Sequence, residues 1–327
     1  MAGHAPDTLG LYARHPRPFA GGSAPDKPLI FTCKRKDIPE EAQEFPLVLK
    51  MISRSSLTSL FDMPEEDRMT QPPETVEGFD EQMMAMEIEK RPDFKHSLSE
   101  VAALRALDHP RILRFVGCYW THEHANIVME FARGGDLQKR MNDRQEIGYL
   151  HYSEEELVPI IRMVCNTLHF VHDSGWAHRD LKPSKIMFRT QLNDDVVIAG
   201  FGFAIFQENT DGGRSLFTTT DVGTPEFKAP EQFRDEGYGI SVDMWALGVT
   251  CFYLLTGSYP FGAGAFDFSY GPSVMGQLKW DAFGFSDNAK DFIGRLLVWD
   301  PDSRMTSAET EHHPWLADVA DPGAKEY

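Results

Sequence analysis

Short apolar runs and helical repeats divide this chain into recognisable pieces. Residues 29–34 and 46–53 read as strands, the second running Leu47, Val48, Leu49, Lys50, Met51, Ile52. Residues 112–119 and 125–131 give two further strand signals. Between these pairs, residues 93–107 carry Leu98, Val101, Leu104 and Leu107 at spacings near three and four, which predicts a helix with one apolar face. Ser153 with Glu156 has the spacing of a reciprocal helix cap. It opens a helix whose apolar face runs Leu157, Ile160, Ile161, Val164, Leu168 and Val171. Thr306 with Glu309 repeats the cap near the C-terminus, and Asp243 to Gly248 starts a helix apolar enough to be buried. Residues 1–28, with five prolines and little periodicity, predict a loosely draped leader.

Composition narrows the class. With 327 residues, 42% hydrophobic and 12% aromatic, the chain can bury the core of one large or two modest domains. A net charge of -18 disfavours nucleic acid and anionic membrane surfaces, both of which reward a basic face, and favours basic protein partners. Cys33, Cys118, Cys165 and Cys251 are widely spaced in apolar segments, without a paired-cysteine or histidine cluster, and read as buried reduced thiols. The first residues lack a basic-then-apolar secretion pattern, and the longest apolar run, 244–255, is too short to span a bilayer. A cytoplasmic location follows as the expectation, with the nucleus left open and the oligomeric state undetermined.

Chemistry concentrates in His178-Arg179-Asp180-Leu181-Lys182-Pro183-Ser184-Lys185, which follows a helical pattern and precedes the apolar Ile186-Met187-Phe188. A loop there presents an acid and two lysines from a rigid scaffold. The stretch resembles the catalytic loop of the eukaryotic protein kinases, serine/threonine type, and Gly223-Thr224-Pro225-Glu226-Phe227-Lys228-Ala229-Pro230-Glu231 is similar to the substrate-anchoring loop of the calmodulin-dependent group. The resemblance covers residues 29–316. It implies an α+β, two-lobed kinase fold: an N-lobe of small antiparallel sheet with its regulatory helix over about 29–131, a larger mainly helical C-lobe over about 132–316, and a tail from 317.

The same resemblance assigns roles. Asp180 would accept the substrate hydroxyl proton and Lys182 would contact the transferring phosphoryl group. Lys50 would face the nucleotide phosphates and pair with Glu100. Val48 and Met187 would enclose the adenine of ATP, Met129 would stand as gatekeeper, Glu130 and Ala132 would meet adenine through their backbone, and Asp136 would face ribose or a substrate arginine. Leu104, Phe115, His178 and Phe201 fall at the positions of the hydrophobic spine. Asp243 would brace the catalytic-loop backbone and Glu231 would pair with Arg304. Thr218, Thr219 and Thr220 stand where an activation loop is modified.

Four departures qualify this. Lys185 replaces the asparagine that holds magnesium, and Gly200, in Gly200-Phe201-Gly202, replaces the metal-binding aspartate, so neither position supplies a side-chain ligand for the ion. The Lys185 ammonium either sits where a metal would and neutralises phosphate as a point charge, or is displaced into solvent. The glycine-rich phosphate flap is degraded to Phe19-Ala20-Gly21-Gly22-Ser23-Ala24-Pro25, in which proline removes a donor. Finally, Lys50 and Glu100 lie fifty residues apart (100 minus 50), which implies an insertion over about 54–92, either a plain surface loop or a docking or autoregulatory element. Two functions follow from these features. One is a pseudokinase with impaired magnesium binding that works through nucleotide and partner binding; the other is a divergent active kinase with Asp180 as base.

Overall fold

The computed structural model describes residues 8–9, 12–21, 28–36, 39, 43, 46–53, 95–120, 124–192, 195–206, 221–234, 237–261 and 284–317. The chain divides into two compact units, Met1–Asp108 with Leu113–Ala132, and His109–Ile112 with Arg133–Tyr327.

The first unit is built on a seven-stranded sheet. Its strands are β1 (Thr8–Leu9), β2 (Tyr12–Arg14), β3 (Ala20–Gly21), β4 (Leu29–Arg35), β5 (Leu47–Ser53), β6 (Phe115–Trp120) and β7 (His124–Glu130). They run in the order β1-β2-β4-β5-β7-β6 with β3 also beside β4, and the pairs are antiparallel. Strand alternation decides which way Lys50 points. Phe31, Leu49 and Val128 are matched across β4, β5 and β7, and they pack with Leu47 and Met51 into one buried cluster. Val48 and Lys50, one residue out of phase, therefore belong to the opposite face. Helix α1 (Lys95–Ala106) belongs to the same unit, with Val101, Leu104 and the following Leu107 buried as their spacing predicts.

The sheet reaches into the stretch read as a leader. Tyr12, Ala13 and Arg14 pair with Arg35, Lys34 and Cys33, and the Arg14 guanidinium lies 4.4 Å from the centre of the Phe31 ring. Strands of two or three residues are too short for alternation to register, and sheet edges tolerate nearby proline, so the sequence pattern conceals them.

The second unit is mainly helical. It holds α2 (Leu137–Glu146), α3 (Glu154–Asp173), α4 (Ser241–Thr256), α5 (Asp287–Leu296), α6 (Ser307–Thr310) and α7 (Pro314–Ala317), with the short strands β8 (Trp176–Ala177), β9 (Ile186–Phe188), β10 (Val196–Ile198) and β11 (Ile205–Phe206). Both reciprocal caps form. The Ser153 hydroxyl accepts from the Glu156 N–H while Glu156 Oε2 accepts from the Ser153 N–H, and Thr306 with Glu309 does the same. Helix α3 buries Leu157, Ile160, Ile161, Val164, Leu168 and Val171, and α4 is buried throughout all but its first residue. Cys118, Cys165 and Cys251 are buried free thiols, and Cys33 is half-buried. Burial pushes the Cys118 thiol up to about 11 and Cys165 up to about 12, so neither is a thiolate near neutral pH. No helix among the described residues is long and apolar enough to cross a membrane. The insertion over 54–92, the residues 22–25 of the glycine stretch, and Thr218, Thr219 and Thr220 lie outside the described residues.

Candidate active site

In the sheet unit, Lys50 and Glu100 meet. Glu100 lies on the same stripe of α1 as Leu104 and Leu107, so folding buries a carboxylate that needs a cation. The Lys50 ammonium donates to its Oε2 at 2.5 Å, with the Glu100 side chain 3% exposed and that of Lys50 19%. Val48 and Met129 are register partners across β5 and β7, and both are buried. Glu130 ends β7 and Ala132, two residues on, is buried.

Residues 178–185 lie in the helical unit, after β8. Arg179 alone among the described non-glycine residues has a positive φ, 64°, a backbone state that costs about 1 kcal/mol or more. Asp243, fully buried at the start of α4, holds this turn: its two carboxylate oxygens accept the His178 and Arg179 N–H groups, each at 2.8 Å. Its Oδ2 also accepts from His172 Nε2 at 2.9 Å. Burial pushes the Asp243 carboxyl up, yet the bonds and charge of His172, with His178, outweigh it and hold it below the usual range. The brace inferred for Asp243 is therefore present. So is the Glu231–Arg304 pair, bidentate at 2.6 and 3.0 Å.

His178 is held neutral. Its Nε2–H donates to the Ala199 carbonyl at 3.1 Å and its Nδ1 accepts the Asp180 N–H at 3.2 Å, which uses both nitrogens of one tautomer. Burial, opposed by Asp243, keeps its pKa below the usual imidazole value. Its ring packs edge-on against Phe201 with centroids 4.8 Å apart, so two of the four residues expected to form the spine touch within this unit.

Asp180 is the hub. Its Oδ1 accepts the Thr224 hydroxyl at 2.7 Å and lies 3.2 Å from Lys182 Nζ, which itself donates to Thr224 Oγ1. Its Oδ2 lies 3.4 Å from Lys185 Nζ. Burial pushes the Asp180 carboxyl up, but Lys185, the Thr224 hydroxyl and Lys182 together hold it below the usual carboxylate range. The sequence places Thr224 only within the anchoring loop; its bond to Asp180 is a contact that sequence reasoning missed. The adjacent Gly223 was the available signal. It has φ 99°, and a Cβ there would stand 2.7 Å from the Arg179 carbonyl, so only glycine lets this loop abut the catalytic one.

Lys185 and Gly200 are neighbours for a topological reason. Antiparallel pairing of β9 with β10 matches Ile186 to Ile198, so the residues just outside the pair come together, and the Ala199 N–H donates to the Lys185 carbonyl at 2.9 Å. A Cβ on Gly200 would lie 2.7 Å from Lys185 Cδ and 2.8 Å from its Nζ. The lysine thus occupies the volume that a side chain at 200 would need. Its side chain is 27% exposed and turned to Asp180, so of the two placements open to it, displacement into solvent is not the one adopted. An ammonium has no lone pair and glycine no side chain, so Asp180 alone of these three positions offers side-chain oxygens to a hard cation such as magnesium. Among the described residues no three His, Cys, Asp or Glu side chains converge as a metal site.

The remaining assigned residues sit apart from this hub. Asp136 caps α2, its Oδ1 accepting the Lys139 N–H at 2.8 Å, and forms an isolated bridge with Met187 of β9. One carboxylate oxygen of Asp136 is thereby spent on the helix, a use the sequence reading did not assign.

Comparison with known proteins accords with this geometry. A match to the protein kinase domain family spans residues 76–316, starting after the strand that carries Lys50. The calcium/calmodulin-dependent protein kinase type I of Schizosaccharomyces pombe is 34% identical over 247 residues, 71% of this chain and 68% of that protein. The serine/threonine-protein kinase H1 of Homo sapiens is 34% identical over 226 residues, 68% of this chain and 51% of that protein, so the match spans about half of its length. The calcium/calmodulin-dependent protein kinase type 1 of Caenorhabditis elegans is 33% identical over 223 residues, 67% of this chain and 61% of that protein. With an antiparallel-sheet unit, a helical unit and a matched domain that covers most of its length, the chain belongs to the protein kinase family.

Proposed function

We propose that this chain is a pseudokinase, a signalling protein that binds nucleotide and a protein partner while handling magnesium poorly. The observation that carries the reading is the Lys185 ammonium, 3.4 Å from Asp180 and filling the space beside Gly200. At the two positions where the family places its protein metal ligands, one residue is a cation and the other is bare backbone. Magnesium, when bound, disperses charge from the phosphate oxygens, an effect worth several kcal/mol in the transition state; every 1.4 kcal/mol lost is about tenfold in rate. A partner with a basic surface suits a chain of net charge -18, and a cytoplasmic setting suits the reduced thiols.

A second reading draws on a different observation. Thr224 and Lys182 hold Asp180 in place, and Lys50 is paired with Glu100, contacts that support an acceptor-orienting role for Asp180 and a phosphate-facing role for Lys50. In that reading Asp180 takes the hydroxyl proton, and Lys182 and Lys50 steady phosphates. The weakness lies in Asp180 itself: a carboxylate held below its usual pKa by two ammonium groups is a poorer base. Transfer of labelled phosphate to a basic peptide, with ATP and magnesium, separates the readings. The pseudokinase reading expects no transfer from the natural chain and a gain from Lys185→Asn combined with Gly200→Asp. Magnesium-dependent transfer by the natural chain, lost in Asp180→Ala, would reverse the preference.

A further inference from the structure

Resting on the nucleotide-binding reading above, we infer that Lys185 is the resident cation of this site: its ammonium stands in place of a divalent metal and receives the phosphates of a nucleotide that carries none. Placement is the first support. The root of the side chain is fixed, because Lys185 ends the 3-10 turn Pro183–Lys185, its N–H donating to the Lys182 carbonyl and its carbonyl accepting the Ala199 N–H, both at 2.9 Å. From that root the chain runs past Gly200, with Cδ, Nζ and Cε at 2.7, 2.8 and 3.0 Å from where a Cβ would stand, and ends 3.4 Å from Asp180 Oδ2.

Reciprocity is the second. Gly200 has φ 82° and no side chain, so the volume is open to Lys185; any larger residue at 200 would contest it. The two departures from the family pattern are therefore one substitution in space. The chemistry of the tenant is the third support. An ammonium brings three donors and a positive charge to phosphate oxygens, but repels a second cation and offers it nothing to coordinate. Magnesium that accompanies ATP would meet an ammonium where the family offers it a carboxylate. The site therefore selects the uncomplexed nucleoside triphosphate, and magnesium acts against binding.

Calorimetric titration of the full chain with ATP and with adenosine, each in EDTA and in excess magnesium, tests this. The natural chain should bind ATP more tightly in EDTA than in magnesium. Lys185→Met should lose about tenfold or more in affinity for metal-free ATP. Its adenosine affinity should not change, which also reports that the variant is folded. Lys185→Asn with Gly200→Asp should invert the dependence, so that magnesium tightens ATP. Equal or tighter binding of ATP with magnesium by the natural chain would overturn the inference and leave the nucleotide-binding reading standing. So would an unchanged metal-free affinity in Lys185→Met. Failure of both ATP and adenosine to bind would overturn the inference and the reading beneath it together.

Discussion

Two charge clusters in this protein use the same side chains and reach different ends. In the sheet unit one lysine meets one carboxylate, Lys50 to Glu100 at 2.5 Å. In the helical unit two lysines lie on one carboxylate, Lys182 and Lys185 at 3.2 and 3.4 Å from Asp180. The first is a closed pair among the described residues: Glu100 is on the buried stripe of α1 and Lys50 supplies its counter-charge there. The second is a shared carboxylate with a further ligand, Thr224, so removal of any one partner leaves it two others. The two clusters differ in redundancy, and a group with several partners can change them as a ligand arrives.

The largest expected effect comes from breaking the closed pair. Glu100→Ala removes the carboxylate from Lys50, and loss of one member of a buried pair costs about 3 kcal/mol. Because Lys50 retains some exposure, its ammonium can reach water, which places the cost at the low end of that range. Urea unfolding measures it, with Lys50→Met and Glu100→Ala combined as the fourth corner of a cycle. If the two clusters differ as argued, the double variant should be more stable than the sum of the single costs predicts. A loss below about 1 kcal/mol for Glu100→Ala would place the pair with ordinary surface bridges.

A smaller effect probes the packing of Lys185 on Gly200. Gly200→Ala puts a Cβ into a left-handed backbone position at about 1–2 kcal/mol and pushes against Lys185 Cδ. The end of a lysine side chain can swing away, so the steric part should be modest. Lys185→Ala made together with Gly200→Ala should recover about 0.5–1 kcal/mol relative to the sum of the two, measured by the same denaturation. Strict additivity would mean that the lysine and the glycine do not share space.

The sequence made some of this geometry legible and hid the rest, for reasons visible in particular residues. Lys50 could be paired with Glu100 because each sits at a fixed place in its own pattern, a strand face and a helix stripe. The Asp243 brace and the Glu231–Arg304 pair were readable in the same way, since buried charges must find fixed partners. Helix caps at Ser153 and Thr306 are local and depend only on a spacing of three. Lys185 was different. Its position was legible, but whether a side chain with four rotatable bonds turns to Asp180 or to water depends on space beside Gly200, which arises only when β9 pairs with β10. Thr224 was obscured because its contact with Asp180 spans 44 residues and needs Gly223 to come up against the Arg179 carbonyl. The strands at 8–9, 12–14 and 20–21 were missed because nothing so short shows a period.

The smallest expected effect is also the most discriminating. Lys185→Met should change stability by no more than about 0.5 kcal/mol, because Asp180 keeps Lys182 and the Thr224 hydroxyl and the methionine chain still covers Gly200. Its acid behaviour should nevertheless move. A carboxyl whose folded pKa is depressed contributes stability above its unfolded value, near 3.9, and loses that contribution as pH falls through the folded value. Burial opposes the depression of Asp180, and Lys185 is foremost among the groups that produce it, so removing the lysine raises the folded value and shrinks the contribution. Any deficit of the variant should therefore be present near neutral pH and close as the solution is acidified, because the natural chain has more of this contribution to lose as Asp180 is protonated. A loss near 3 kcal/mol at neutral pH would instead make Lys185 a structural partner of the kind Lys50 is, and the two clusters would no longer differ in kind.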